Sequence, residues 1–439
     1  MLKTLVGAFK NKDIRKKIFY TLMILVIVRV GSLLPIPGVD TEYFSSLLSG
    51  INTGDLSYLS AFTGGSFERM SLFALSITPY ITSSIIMQLL AIAIPKLEEM
   101  QKEGEDGRKK IAAITRYVTI GLALIESIAM AVGFGRSGLI KGYQGFSTLH
   151  YIVSIMVVVA ALTAGSAMLM WLGERITENG VGNGISIVLL INIISGMPSD
   201  FATLYSTFVA PRTIAKGVLA AAIIIAILVV MVVLVCFLQD GERRIPVQYS
   251  QKVSGRKTFG GQSTNIPLKV NTAGVMPVIF ASSLMQFPVI IAQLFGKSYE
   301  WTRYLSSSYW CRVSAPKYSI GLILYVVLLI IFAYFYTSIT FNPIEVADNL
   351  KKAGGVIPGI TPGKSTSDYL NNILNYIVFV GAVGLLIIAL IPIMCTGFFN
   401  ASVSFGGTSV IIIVGVVLET LKQIESQMVN RYYKGFLSE

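Results

Sequence analysis

Apolar residues in this chain gather into long runs broken by short polar stretches, not into the alternations of a half-buried sheet. A helix needs about 20 apolar residues to cross about 30 Å of hydrocarbon. The candidate spans are Ile18–Leu34, Met70–Ile94, Tyr117–Phe134, Leu149–Leu172, Ile185–Ile194, Val218–Leu238, Ala273–Leu294, Ile320–Ile339, Ile373–Ile391 and Ser409–Leu421. The fifth is short, hemmed by Gly182-Asn183-Gly184 and Gly196-Met197-Pro198, and the tenth is short too, entered through Gly406-Gly407. The second and seventh carry internal prolines, Pro79 and Pro277. These irregularities fall at places two and five of each set of five, which predicts a duplicated architecture, with halves 1–200 and 201–439. Five is odd, so the second copy is inverted in the membrane. Inverted repeats with broken spans meet around a central pathway in many transport proteins. The plainer reading, ten unremarkable spans, leaves the pairing of irregularities unexplained.

Composition supports a lipid solvent. Hydrophobic residues make up 54% of the 439 and charged residues 13%, with a mean hydropathy of +0.70, against roughly 25% charged in a soluble domain. That excludes an ordinary cytosolic enzyme, a disordered chain and a disulfide scaffold. The net charge of +12 reports topology. With both termini in the cytoplasm, 25 Lys and Arg fall on the cytoplasmic side and 9 on the other, a positive-inside bias. The excess also suits anionic lipids. Arg29, inside the first span near its outer end, is expected to snorkel to the interface. No cleavage site follows Met1–Leu34, so the first span reads as retained.

Candidate chemistry is sparse. Cys236, Cys311 and Cys395 are scattered and His150 is the single histidine, so no metal or cofactor site is expected. There is no P-loop, HExxH, GxSxG or pair of intramembrane acids. Glu126 is the one clearly intramembrane acid, with Glu419 near the end of the last span. The spans therefore read as a passage powered from outside and not as a reaction centre. A secondary transporter for a small solute is the competing class. It would need convergent polar groups at mid-membrane, where this chain offers mainly Ile and Leu.

Two stretches are specific, ALSITPYITSSIIMQLL at 74–90 and MWLGERITENGVGNGIS at 170–186. Shorter ones follow in order: ERRIPVQY at 242–249, GQSTNIPLKVN at 261–271, FNP at 341–343, ADNLKK at 347–352 and FGGTS at 405–409. Together they resemble the SecY family, the protein-conducting channels of bacteria, from the first span to the C-terminal tail. The resemblance implies an all-α integral membrane protein of ten helices, in two inverted five-helix halves around an hourglass pore. It implies no enzyme activity and no cofactor, and a place in the bacterial cytoplasmic membrane. The implied partners are the SecE and SecG subunits, the SecA ATPase, the ribosome, and signal peptides with unfolded preproteins.

By position the resemblance places Ile77, Ile81, Leu189, Ile279, Leu284 and Ile412 in an apolar pore ring, with Ile185 a weaker candidate. An apolar residue in a span otherwise faces lipid or core. A plug is expected within 55–69, including Gly64, Gly65, Ser66, Phe67, Glu68 and Arg69. The segment is too polar for lipid, and an ordinary external loop is the alternative. A lateral gate between spans two and three and spans seven and eight would use Thr82, Gln88, Asn271, Ser282 and Ser283, which could equally be polar glue between helices. Two long cytoplasmic loops, 239–270 and 342–372, carry Arg243, Arg244, Lys252, Arg256, Lys257, Lys351, Lys352 and Lys364. They are implied docking sites for SecA and the ribosome, the alternative being positive-inside charge alone. One position departs from the family: Thr361 stands in GITPG where Arg is usual, and Thr supplies neither the charge nor the fork of donors.

Overall fold

The fold was described from a computed structural model that covers residues 9–50, 63–134, 148–211, 214–249, 252–254, 257–259, 263–294, 300–311, 316–399 and 407–435. The helices are α1 Lys12–Leu33, α2 Thr41–Gly50, α3 Thr78–Ala93, α4 Pro95–Lys102, α5 Glu105–Phe134, α6 Thr148–Asn179, α7 Gly184–Leu204 and α8 Ile214–Asp240. Strands β1 Glu242–Tyr249, β2 Lys252–Ser254, β3 Lys257–Phe259 and β4 Ser263–Lys269 follow. Then come α9 Met276–Leu294, α10 Glu300–Leu305, α11 Ile320–Thr340, α12 Pro343–Lys352, β5 Gly355–Val356, α13 Lys364–Phe399 and α14 Gly407–Gly435. Helices overlap all ten apolar stretches. Among the described residues, six are long and apolar enough to cross a membrane unbroken.

Several expected boundaries move. Residues 70–77 form turns, and α3 begins only at Thr78. Pro79 and Pro277 therefore lie in the first turns of α3 and α9, not inside spans. A first-turn proline gives up an N–H that has no helical partner there. α3 then breaks at Ile94, and α4 leaves it at 105°. The fifth helix is not short: α7 runs through Gly196 and Pro198 to Leu204. The tenth apolar stretch lies within α14, a helix of 29 residues that continues past it into polar sequence. The matched irregularity that remains joins α3 and α9, each entered through turns.

The protein is not all-α. β1 alternates inward Ile245 and Val247 with exposed Arg244, Pro246 and Gln248. It pairs antiparallel with β4 from Glu242↔Lys269 to Gln248↔Ser263. β5 joins its other edge at Gln248↔Val356 and Tyr249↔Gly355. The two basic loops thus share one sheet in the order β4-β1-β5. Ile245, Val247 and Leu268 pack there on Leu350, Leu370 and Ile373.

The main apolar core joins the helices of both halves. It contains Ile24 and Val28 of α1, Ile81 and Ile85 of α3, Val188 and Leu189 of α7, Val278 and Ile279 of α9, Leu329 of α11 and Ile411 and Ile412 of α14. A second core lies under the segment before α3. There Phe67 and Met70 pack with Phe44, Ile36 and Leu162, and Phe44 meets Phe67 and Phe134 edge to face.

Candidate functional site: a cavity among six helices

A cavity of about 430 Å³ lies between α3, α7, α8, α9, α11 and α14. Helix geometry orders its lining. Asn183 stands at the start of α7, Gln239 at the end of α8 and Lys269 at the end of β4, so these mark the sheet side. Leu189, Ile279 and Ile412 lie further along their helices; Ile412 is ten residues from Lys422, about 15 Å deeper. The cavity therefore has a polar rim facing the sheet and an apolar floor. The rim carries Glu419 and Lys422, and Lys422 pairs with Asp240 at 2.6 Å, joining α14 to α8.

Four of the six pore-ring residues line this cavity: Ile81, Leu189, Ile279 and Ile412. Ile77 belongs to the same core and is buried. Ile185 lines the cavity nearer the rim. Leu284 does not join them. It is 48% exposed, because five residues past Ile279 turn a side chain about 140° round the helix.

The plug residues are placed from Thr63 onward, while 55–62 lie outside the described residues. Gly64 and Gly65 have φ of +62° and +79°, which glycine adopts without strain. Ser195 Oγ of α7 donates to Gly64 O at 3.4 Å. Ser66 is buried, and its Oγ has no hydrogen-bond partner among the described residues. Phe67 is buried, while Glu68 and Arg69 are exposed. The segment is packed, not loose.

The gate residues bond locally. Thr82 Oγ1 donates to Thr78 O at 3.1 Å, and Gln88 Nε2 donates to Ser84 Oγ at 3.2 Å. Asn271 Nδ2 donates to Gly274 O at 2.8 Å, and Ser282 Oγ to Val278 O at 2.7 Å. Ser283 is half-buried. α9 lies against both α3 and α5, yet none of these bonds crosses between them. Ile81, Ile85, Ile279 and Met285 of these helices belong to the main apolar core. Gln88 Oε1 and Gln239 Nε2 are buried, lack hydrogen-bond partners among the described residues and belong to residues lining the cavity.

Of the docking residues, Arg243, Arg244, Lys351, Lys352 and Lys364 are exposed. Arg244 pairs with Glu242. Lys252 and Lys257 fall on β2 and β3, and Arg256 lies outside the described residues. Thr361 is exposed, and its carbonyl accepts from Thr366 Oγ1 at 3.0 Å.

Sequence reading missed part of the lining, namely Tyr80, Ser84, Gln239, Tyr336 and Thr340. The signal was present in α3, where Tyr80, Ser84 and Gln88 recur at i, i+4 and i+8, on one helix face. Ile412, Val416 and Glu419 share a face of α14 in the same way.

A sheaf of apolar helices around a polar-rimmed cavity with an apolar floor defines a multi-pass membrane protein built around a passage. The SecY family model matches residues 71–421. A protein translocase subunit SecY of Streptomyces scabiei is 43% identical over 445 residues, covering all of both chains. Its counterpart in Bacillus subtilis strain 168 is 42% identical over 445 residues, again covering both completely. The chain belongs to the SecY family. Solved structures share the fold. One titled as a protein-conducting channel has a TM-score of 0.62 at 18% identity, covering 94% of this chain and 92% of its own. A SecY structure, whose plug domain is described as stabilising the closed state of the translocation channel, reaches 0.65 at 19% with the same coverage. A yeast complex captured idle on the yeast 80S ribosome gives 0.54 at 14%, covering 94% and 89%.

Proposed function

We propose that this chain is the channel subunit through which unfolded, signal-bearing polypeptides cross the bacterial cytoplasmic membrane, and from which transmembrane segments leave sideways into lipid. The observation that carries this is the cavity, with its polar rim and its floor of Ile81, Leu189, Ile279 and Ile412. A polypeptide in hydrocarbon leaves unpaired backbone groups costing several kcal/mol each, so it needs a wet passage. A wet passage leaks ions unless a narrow apolar constriction dewets when idle. Gln88 Oε1 and Gln239 Nε2, without partners among the described residues, offer an acceptor and a donor to a passing backbone. A solute carrier would instead close charged or polar groups around its substrate at mid-depth.

In this reading the chain has ten spans in two inverted halves, 1–200 and 201–439, with both termini cytoplasmic and the sheet on the cytoplasmic side. Residues 55–69 form the plug. The seam between α3 and α5 on one side and α9 and α11 on the other is the lateral gate. The exposed cations of the sheet domain receive SecA or the ribosome, whose RNA phosphates suit Arg and Lys, while SecE and SecG brace the halves. The chain performs no catalysis, and energy comes from its partners.

The test is translocation into proteoliposomes holding this chain with SecE and SecG. SecA, ATP and a signal-bearing precursor are added, and protease protection of the precursor is measured. ATP-dependent protection is expected. Absence of protection, both for the chain as it stands and for Thr361→Arg, together with gradient-driven uptake of a small solute, overturns the reading.

A further inference from the structure

Two residues in the segment that leads into α3 take backbone angles that glycine alone adopts freely. Met70 has φ +43° and Ser76 has φ +52°, the left-handed region in which a Cβ crowds the following carbonyl. Both are buried. Strain of this kind persists only where the surroundings over-determine it.

Two neighbouring helices hold Ser76 in place. Asn192 Nδ2 of α7 donates to Ser76 Oγ at 3.1 Å. Ser166 Oγ of α6 donates to Ser76 O at 3.5 Å. All three residues are 2% exposed or less. The backbone is pinned as well. Ser76 N donates to Phe73 O at 2.9 Å, and α6 comes so near that a Cβ on Gly165 would run into Leu72 O. Ser195, one turn beyond Asn192 on the same side of α7, donates to Gly64 O at 3.4 Å. One side of α7 therefore holds both ends of the segment 64–76.

The location gives these bonds a consequence. Asn192 lies three residues past Leu189, about 4.5 Å further along α7, and Leu189 lines the cavity. Ile77, next to Ser76, belongs to the main core, and Ile81, one turn on, lines the cavity floor. Ser76 is thus the joint between the packed segment and the helix that carries part of the floor. Phe73, Leu169 and Ile193, close by along the three chain segments, all belong to the apolar core. A hydrogen bond in such surroundings is either exchanged for one to water or leaves two polar groups unpaired at high cost.

We propose that Asn192, assisted by Ser166, is a positioning residue that holds Ser76 in its strained turn, a sprung catch at the joint between segment 64–76 and α3. The proposal rests on the channel reading given above. Turning Ser76 out of the left-handed region releases strain, but only once its bond to Asn192 has been given up to water. The catch therefore favours the closed arrangement while the joint is dry and favours opening once it is wetted.

The test compares Asn192→Leu, Asn192→Leu/Ser76→Ala and Asn192→Leu/Ser76→Gly, each in the full chain reconstituted with its membrane partners. Asn192→Leu removes the catch and leaves the strain. The Ala double variant also removes the serine hydroxyl and keeps the strain, whereas the Gly double variant removes the strain too. Amide hydrogen exchange of residues 64–77 and idle ion conductance in planar bilayers are measured. Both should rise about tenfold in Asn192→Leu and in the Ala double variant, the loss of about one buried hydrogen bond. Both should return to within about twofold of the unaltered chain in the Gly double variant. A role in packing alone predicts the opposite order, since Ala fills more space than Gly. Exchange and leak unchanged in Asn192→Leu, or a Gly double variant as open as the Ala one, would overturn the proposal. If Asn192→Leu does not fold, Ser76→Ala against Ser76→Gly with Asn192 intact carries the same contrast, and equal values for the two overturn it. Hydrogen exchange reads the catch without any conducted substrate, so its failure is distinct from a failure of the unaltered chain to translocate.

Discussion

Gly64 fits its place with nothing to spare. Its φ is +62°, and a Cβ there would stand 2.6 Å from Ser195 Oγ and 2.8 Å from Asn192 O. Gly65, next to it, has φ +79° but open space around it. The two glycines therefore separate backbone strain from contact. Gly64→Ala should cost about 1–3 kcal/mol and lift residues 63–70 away from α7. Gly65→Ala should cost only the strain of its φ, about 1 kcal/mol. The measurement is ion conductance of the reconstituted protein in planar bilayers, with raised leak expected for Gly64→Ala and little change for Gly65→Ala. Equal behaviour of the two would show that the fit against α7 is irrelevant. A Gly-Gly pair in the sequence reads as a joint; in the structure both glycines take positive φ. The fit is not legible, because its partners Asn192 and Ser195 lie more than 120 residues away.

The strands show the same division at the level of elements. Ile245 and Val247 alternate with Arg244, Pro246 and Gln248, a period-2 signal that a reading for apolar runs passes over. β5 is two residues long, and nothing local announces that it pairs with β1 more than 100 positions earlier. Gly196 and Pro198 are breakers that predict a short fifth span, yet α7 continues through both to Leu204. What was legible from pattern was the existence and order of the apolar helices, since each is specified by its own composition. The sheet makes a direct prediction. Gln248 and Val356 are register partners with exposed side chains, and paired Cα atoms in an antiparallel ladder stand about 4.5–5.5 Å apart, within disulfide range. Gln248→Cys with Val356→Cys should therefore oxidise to an intramolecular disulfide, seen as a mobility shift after cleavage between the loops. Translocation should persist in the oxidised form if the two loops move as one body. Loss of activity restored by reductant would show that the loops must separate.

For the whole molecule, the proposed function sets two closures in series: the apolar floor of the cavity and the packed segment 63–77 beyond it. Of the residues that the resemblance places in a ring, Ile81, Leu189, Ile279 and Ile412 line the cavity, while Leu284 does not, since its orientation depends on where α9 begins. Ile412 is fully buried, and Ile412→Asn places an amide in the floor at a cost of about 1–3 kcal/mol. Ion leak should rise, and precursors with poor signals should be exported more readily, while Leu284→Ala should change neither. Because the closures act in series, Ile412→Asn combined with Gly64→Ala should leak more than the two single effects added; simple additivity would mean the closures are independent. The seam of α9 against α3 and α5 carries a different lesson. If this seam is the lateral gate proposed above, then, with no hydrogen bond crossing it from Thr82, Gln88, Asn271 or Ser282 among the described residues, parting it mainly trades one oily neighbour for another. Its opening is then an exchange equilibrium, in which an arriving apolar segment competes with the helix face it replaces. The outcome is graded by the length and greasiness of the newcomer, not triggered by any particular residue.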